Sequence, residues 1–341
     1  MSENKIKIHI RNNHWKKGSL PCDLEGEKNS SIPKDLFENM LSKYSKIRDK
    51  ITYLIDWDDD NWISSMKEAD ILLGWNFPTN NLKEIAPNLK WIHIVSAGVN
   101  HLAPFTWMSD NLVLTNSSGI HAKKAGEFGL MSILMLQNHM TKIITNQKNR
   151  EYITLLSTPL KDKKVVVIGT GSLGGSMIKH ISLLGADIIG VNRKGGQVEG
   201  CAKTLTFDKI DEVLPDADFL YLAVPETPET KGLIDKKRLN SLKSTCGIVN
   251  IGRETVMDYE HLRLKLKKNE LSGAILDVFS EEPISKNSNF WDTPNLIITP
   301  HISSDSKGNY IEMVLEKFFF NLELFLENKS LINQVNKDLG Y

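Results

Sequence analysis

The stretch that most narrows the folds open to this chain is Val165-Val-Val-Ile168, followed at once by Gly169-Thr-Gly171-Ser-Leu-Gly174. Four apolar β-branched residues bounded by glycine read as a short buried strand, and the residues after Gly174 suit a helix. In such a strand–turn–helix unit each glycine has a task. The first permits the tight turn, the second lets a diphosphate approach the backbone, and the third lets helix and strand pack closely. The helix N-terminus then presents unpaired amides and the positive end of its dipole to the anion. A glycine-rich turn without ligand is the plainer alternative, and the flanking strand and helix favour a dinucleotide over it.

Strand-like segments follow at 187–191, 219–223, 247–250, 273–276 and 297–299, interleaved with helix-compatible stretches. That alternation is the pattern of a parallel sheet covered by helices. A second series precedes it, with strands expected at 6–10, 51–55, 69–74, 91–95 and 113–115. Ser31 and Pro33 supply a cap and an early proline for an amphipathic helix through Leu36, Met40, Leu41 and Tyr44. One long connecting helix is predicted from Gly119 to about Asn146. A closing helix carries Ile311, Val314, Leu315, Phe318, Phe319, Leu322 and Phe325 on one face. Its interspersed acids favour packing back on the first series over lying on a membrane surface. A chain of 341 residues exceeds one comfortable core, so two domains are expected.

Composition removes several function classes. Forty-two basic residues balance 42 acidic ones, so nothing draws the whole chain to nucleic acid or to an anionic membrane, and any anion site must be local. Cys22, Cys201 and Cys246 are odd in number and widely spaced, which suits reduced thiols in cytosol and argues against a disulfide framework or a metal site. The N-terminus runs straight into an alternating strand pattern without a secretion signal, and no apolar run approaches the roughly 20 residues of a membrane span. A cytoplasmic location is expected.

The strand at 187–191 ends in Asn192-Arg193-Lys194, where an NAD enzyme of this architecture would place an acid to accept from the adenosine ribose. A basic turn without a carboxylate suits a 2′-phosphate instead, because guanidinium and ammonium pair with phosphate. NADP is therefore the preferred cofactor and NAD the second choice. A solvated basic turn is the alternative reading.

Three further segments each follow a predicted strand: Asn250-Ile-Gly-Arg253, Leu276-Asp277-Val-Phe-Ser-Glu281-Glu282-Pro283 and Thr299-Pro-His301. In an open α/β sheet the ligand crevice lies beyond the carboxyl ends of the strands, so these side chains are placed to converge. Singly, Arg253, Glu282 and His301 would each be ordinary: a surface arginine, a loop acid, a structural histidine.

Together, and with Val95-Ser-Ala-Gly-Val-Asn100, Thr115-Asn-Ser-Ser-Gly-Ile-His121 and Val224-Pro-Glu-Thr-Pro-Glu-Thr230, they closely resemble the D-isomer-specific 2-hydroxyacid dehydrogenase family, in order and spacing along nearly the whole chain. The resemblance implies two Rossmann-like α/β domains with parallel sheets. Residues 1–118 and 303–341 would form a substrate domain, with a dinucleotide-binding domain at 119–302 inserted in it and the active site between them. It implies a hydride-transferring enzyme that interconverts small 2-keto acids and D-2-hydroxy acids. Arg253 would bind the substrate carboxylate, His301 would exchange the proton, and Glu282 would orient the ring. Amides of Ala97, Gly98 and Val99 would assist at the carboxylate. Gly169, Gly171, Ser172, Leu173 and Gly174 would hold the pyrophosphate, Val224, Pro225 and Thr230 would surround the adenosine side, and Ile251 and Asp277 would lie near the nicotinamide. Trp75 is a candidate pocket wall or a structural tryptophan.

Formate dehydrogenases, which share the fold, match less well because they pair the histidine with glutamine. Glu254 stands where most members carry glycine, Asn100 where aspartate is frequent and Gly126 where alanine is frequent. Related corepressors that sense dinucleotide keep the same fold, so a binding protein is the alternative to an enzyme. A homodimer is expected, through the apolar face of the helix at 127–136.

Overall fold

A computed structural model describes residues 5–15, 31–304, 308–337 and 340 of the chain. Cys22 and positions 305–307 lie outside the described residues. The chain forms two compact units, Met1–Ile120 with Ser306–Tyr341, and His121–Asp305.

In the first unit β1 (Ile6–Asn12), β2 (Ile51–Trp57), β3 (Ile71–Gly74), β4 (Trp91–Ile94) and β5 (Val113–Asn116) pair in parallel in the order β2-β1-β3-β4-β5. β3 and β4 are buried along their whole length, as their largely apolar runs require in a sheet covered on both faces, with His93 the one polar side chain of the two strands. The closing helix, Tyr310–Leu326, turns its predicted stripe onto this sheet. Phe318 stacks on Trp91 with ring centroids 5.1 Å apart, and Phe319 meets Phe37 and Tyr44. Each fully buried phenylalanine contributes about 1.5–3 kcal/mol, which accounts for the stripe without a membrane. No helix among the described residues is long and apolar enough to cross a bilayer.

In the second unit β6 (Lys164–Ile168), β7 (Asp187–Val191), β8 (Lys203–Leu205), β9 (Phe219–Leu222), β10 (Gly247–Asn250), β11 (Gly273–Leu276) and β12 (Leu296–Ile298) form one parallel sheet, ordered β12-β11-β10-β9-β6-β7-β8. The strand order reverses at β6, between β7 and β9, so the glycine turn after β6 opens at the topological switch point where such sheets bind ligands. Both sheets are wholly parallel, giving two Rossmann-like units.

Two local expectations are corrected, and one strand is new. The helix predicted as continuous from 119 to 146 is two helices, Ala122–Gln137 and Met140–Asn149. His139 adopts φ 54° at the break, and Asn138 Nδ2 donates to the Leu134 carbonyl at 2.8 Å, so a short polar side chain competes for the helix's own acceptor. At the first helix, Lys34–Ser42, Pro33 itself occupies the capping position and Ser31 makes no cap. β8 has no counterpart in the sequence reading; it is three residues long and pairs only with β7, so its edge position rather than its pattern defines it. On the helix face at 127–136, Phe128, Ile133 and Leu136 are packed in the core of their own unit, while Met131 is exposed and Leu130, Leu134 and Met135 are half-buried.

Candidate active site

The turn after β6 has the shape its glycines predict. Gly169 sits at φ +93°, and a Cβ on Gly174 would collide with the Gly169 carbonyl oxygen, so neither position tolerates a side chain. A Cβ on Gly171 would meet nothing within 4 Å. The helix Ser172–Ser182 starts directly after it with no side-chain cap. Among the described residues no oxygen accepts from the first-turn amides of Ser172, Leu173 and Gly174. A turn with clear approach and unused amides at a helix N-terminus fits a diphosphate.

The other residues expected around a dinucleotide take more varied positions. Asn192 Nδ2 donates to Thr170 Oγ1 at 2.9 Å, and its Oδ1 accepts from the amides of Lys194 and Gly195 at 2.9 and 2.8 Å. Asn192 thus shapes the basic turn and ties it to the glycine loop. Arg193 is half-buried and Lys194 exposed. Val224 and Ile251 are buried. The Val224 side chain lies against Gly169, and the Ile251 amide donates to the Leu222 carbonyl at 3.0 Å. Thr230 is buried and its hydroxyl donates to the Pro225 carbonyl at 2.6 Å, so it holds the 225–230 loop rather than offering its oxygen outward.

The carboxyl ends of β10, β11 and β12 bring together the residues of the three downstream segments. His301 Nδ1 donates to Glu282 Oε2 at 2.8 Å, with side chains 34% and 20% exposed. Glu282 Oε1 accepts from the Phe279 amide at 2.8 Å. The hydrogen bond to Glu282 raises the His301 pKa, burial opposes it, the Glu282 charge adds to the rise and Arg253 counteracts. Burial pushes Glu282 up, but His301, the Phe279 amide and the Arg253 charge outweigh it and leave the carboxyl below its ordinary value. Arg253 is half-buried, and its Nη1 donates to the Gly252 carbonyl at 2.7 Å.

His301 also has a backbone that few residues adopt, φ 54° in the left-handed region, where histidine is among the more tolerant side chains. Asp277 pins it there. The Asp277 carbonyl accepts from the His301 amide at 3.0 Å, and its carboxylate accepts from Thr299 Oγ1 and from the amides of Ile302 and Ser303, both at 3.0 Å. Asp277 is fully buried. The observed work of its carboxylate is therefore to hold the histidine turn, a role the sequence reading missed because it depends on contacts across two strands.

In the first unit the residues Ala97, Gly98 and Val99 form a turn after β4. Ser96 Oγ donates to the Gly98 carbonyl at 2.7 Å, and among the described residues no oxygen accepts from the three amides. Trp75 lies beside this turn. The Trp75 carbonyl is 2.8 Å from His101 Nε2, and its ring meets Trp15 edge-on at 5.8 Å and Tyr310 at 6.2 Å. Tyr310 Oη in turn donates to the Val95 carbonyl at 2.8 Å.

Residues 130–303 match the family model described as D-isomer specific 2-hydroxyacid dehydrogenase, NAD binding domain. A glyoxylate reductase of Thermofilum pendens is 30% identical over 228 residues, covering 65% of this chain and 67% of the relative. The fold is shared with a D-isomer specific 2-hydroxyacid dehydrogenase from Xanthobacter autotrophicus Py2 in complex with NADPH and MES, at TM-score 0.78 and 21% identity, covering 98% of this chain and 99% of the other. It is shared equally with an NADPH-dependent glyoxylate/hydroxypyruvate reductase from Sinorhizobium meliloti in complex with NADP and sulfate, at TM-score 0.78 and 23% identity over 99% and 100% of the two chains. With its glycine turn at the switch point of a parallel sheet and its family match across more than half the sequence, the chain belongs to the D-isomer specific 2-hydroxyacid dehydrogenases, oxidoreductases that carry an NAD(P)-binding domain.

Proposed function

We propose that this protein reduces small 2-keto acids to D-2-hydroxy acids with NADPH as the favoured reductant. The observation that carries the reading is the His301–Glu282 pair: a partly exposed imidazole held at 2.8 Å by a carboxylate, beyond the strand ends of a dinucleotide-binding sheet. A bound nicotinamide dinucleotide supplies the hydride to C2 of the keto acid. Arg253 binds the substrate carboxylate and polarises the carbonyl with a fixed, planar donor. His301, whose pKa Glu282 raises, gives its Nε2 proton to the carbonyl oxygen as C2 gains hydrogen, and takes it back in the oxidative direction. The amides of Ala97, Gly98 and Val99 are the other expected anion holders. In the nucleotide unit, Gly169, Gly171, Ser172, Leu173 and Gly174 take the pyrophosphate, Val224, Pro225 and Ile251 line the remaining dinucleotide, and Thr230 braces the Pro225 loop from within.

The preference for NADPH rests on Arg193 and Lys194 and on the uncharged Asn192 that shapes their turn. A well-formed charge-assisted bond to the 2′-phosphate is worth about tenfold in affinity or more, and a carboxylate would have repelled it. Following NADPH oxidation with glyoxylate, hydroxypyruvate, pyruvate and longer 2-keto acids tests the activity, and no turnover of any would leave a dinucleotide-sensing protein as the better reading. On an accepted substrate, kcat/KM for NADPH is expected to exceed that for NADH by at least about an order of magnitude, the gap shrinking with salt. Asn192→Asp with Arg193→Ala should reverse that order. A homodimer is also proposed, because Tyr152 and Leu156, beyond the helix Met140–Asn149, are 103% and 86% exposed and Ile153 is exposed beside them. Light scattering that gave a monomer mass would remove it.

A further inference from the structure

The loops that carry Arg253 and Glu282 are tied to each other by groups that take no part in the chemistry. Beneath them, Asn250 Nδ2 donates to the Arg253 carbonyl at 3.0 Å and to Tyr259 Oη at 2.9 Å, and Tyr259 Oη donates to the Val278 carbonyl at 3.1 Å. Both side chains are buried. Nearer the surface, Glu254 Oε2 accepts from the backbone amide of Ser280. Three consecutive residues are thus fixed by named partners: Val278 by Tyr259, Phe279 by Glu282 and Ser280 by Glu254. Glu282 follows two residues later, with its other oxygen on His301.

We infer that Glu254 is a positioning residue: by holding the Ser280 amide it sets the short loop that presents Glu282 to His301, and through it the proton donor. Glu254 does this at a position where the family mostly carries glycine, which has no side chain to make the tie. A charge-assisted bond to a backbone amide is among the stronger single contacts available to a loop, so its loss should be felt at Glu282. The charged groups facing His301 are Glu282 from the loop after β11, Arg253 from the loop after β10 and Asp277 at the end of β11. None of these is altered by a change at Glu254, so any effect must travel through the loop or through the Glu254 charge. The inference rests on the proposed keto-acid reduction, in which His301 must be protonated. The reductive rate therefore falls as pH rises through the His301 pKa.

The experiment is the pH profile of reductive kcat for wild type, Glu254→Ala and Glu254→Gln, on the best keto acid of the panel. Glu254→Ala frees the loop and loosens the Glu282–His301 bond, so the fall should move to lower pH by about half a unit or more. Misalignment should lower kcat about tenfold, with KM for NADPH within about twofold of wild type, because the pyrophosphate turn is untouched. Glu254→Gln keeps an oxygen for the Ser280 amide and should restore both the midpoint and most of kcat. If Glu254→Gln behaves like Glu254→Ala, the effect is one of charge and the positioning role is overturned. It is equally overturned if Glu254→Ala keeps the wild-type midpoint. Should Glu254→Ala not fold, Glu254→Gly, with the residue frequent in the family, replaces it under the same criteria. A wild type without turnover overturns the proposed function itself and this inference with it, whereas an active wild type with an unchanged variant overturns only this inference.

Discussion

His93 and His301 show what the two units do with the same side chain. His93 lies on β4 in the first sheet with no exposed surface, its ring nitrogens 2.7 and 3.2 Å from the hydroxyls of Thr115 and Ser117. Burial pushes its imidazolium down to about 3, with the Lys317 charge adding to the shift. His301 lies beyond the last strand of the second sheet, a third exposed, and Glu282 pushes it the other way. One histidine is kept neutral by burial, and the other is biased toward its charged form by a carboxylate. Burial lowers the imidazole pKa at both positions, and only at His301 does a carboxylate partner outweigh it.

The largest expected effect separates the two roles. His301→Ala should lower turnover by roughly 10²–10⁴, the span for a positioned proton donor, while dinucleotide binding and thermal unfolding change little. A variant with near-native turnover would place His301 with His93 as structural. His93→Ala should do the reverse. It opens a cavity and strips Thr115 and Ser117 of a partner, lowering stability by roughly 2–4 kcal/mol in denaturant unfolding, while the folded fraction keeps its specific activity. Full stability with lost activity would break the comparison.

The smallest effect is on the pH dependence of stability. Below the ordinary histidine value of 6.5 the unfolded chain takes a proton at position 93, but the folded chain does not until about 3. The unfolded state therefore binds more protons across that window, and acid destabilises the first unit, by at most about 1.4 kcal/mol per pH unit from this one group. For His301 the folded pKa is raised, so its contribution is present at low pH and lost as pH rises through the folded value. Urea titrations of wild type and His93→Gln between neutral and mildly acid pH should show a shallower acid loss in the variant. Identical slopes would mean that His93 contributes nothing to the acid loss.

Much of the fold is legible in short sequence windows. The glycine turn is legible because steric demands on Gly169 and Gly174 act within one turn and its flanking elements. The apolar stripe from Ile311 to Phe325 is legible because helical periodicity repeats within a few residues. Arg253, Glu282 and His301 stand out by their place after predicted strands and by family resemblance. The break at His139 escaped notice because Asn138 and His139 are not strong helix breakers, and β8 because three residues carry no period.

By itself the sequence determined the parallel α/β class, the location of the dinucleotide turn and which polar side chains follow which strands. These depend on residue type, spacing and local sterics. Only the tertiary structure decided how those side chains are held. The Asp277 carboxylate grips the turn of His301 from 25 residues away, Glu254 reaches the amide of Ser280, and Asn250 and Tyr259 bridge two loops. These contacts join atoms brought near each other by the parallel pairing of β10, β11 and β12. No local pattern encodes them, because a hydrogen bond depends on distance and angle between partners, and those exist only once the strands have assembled.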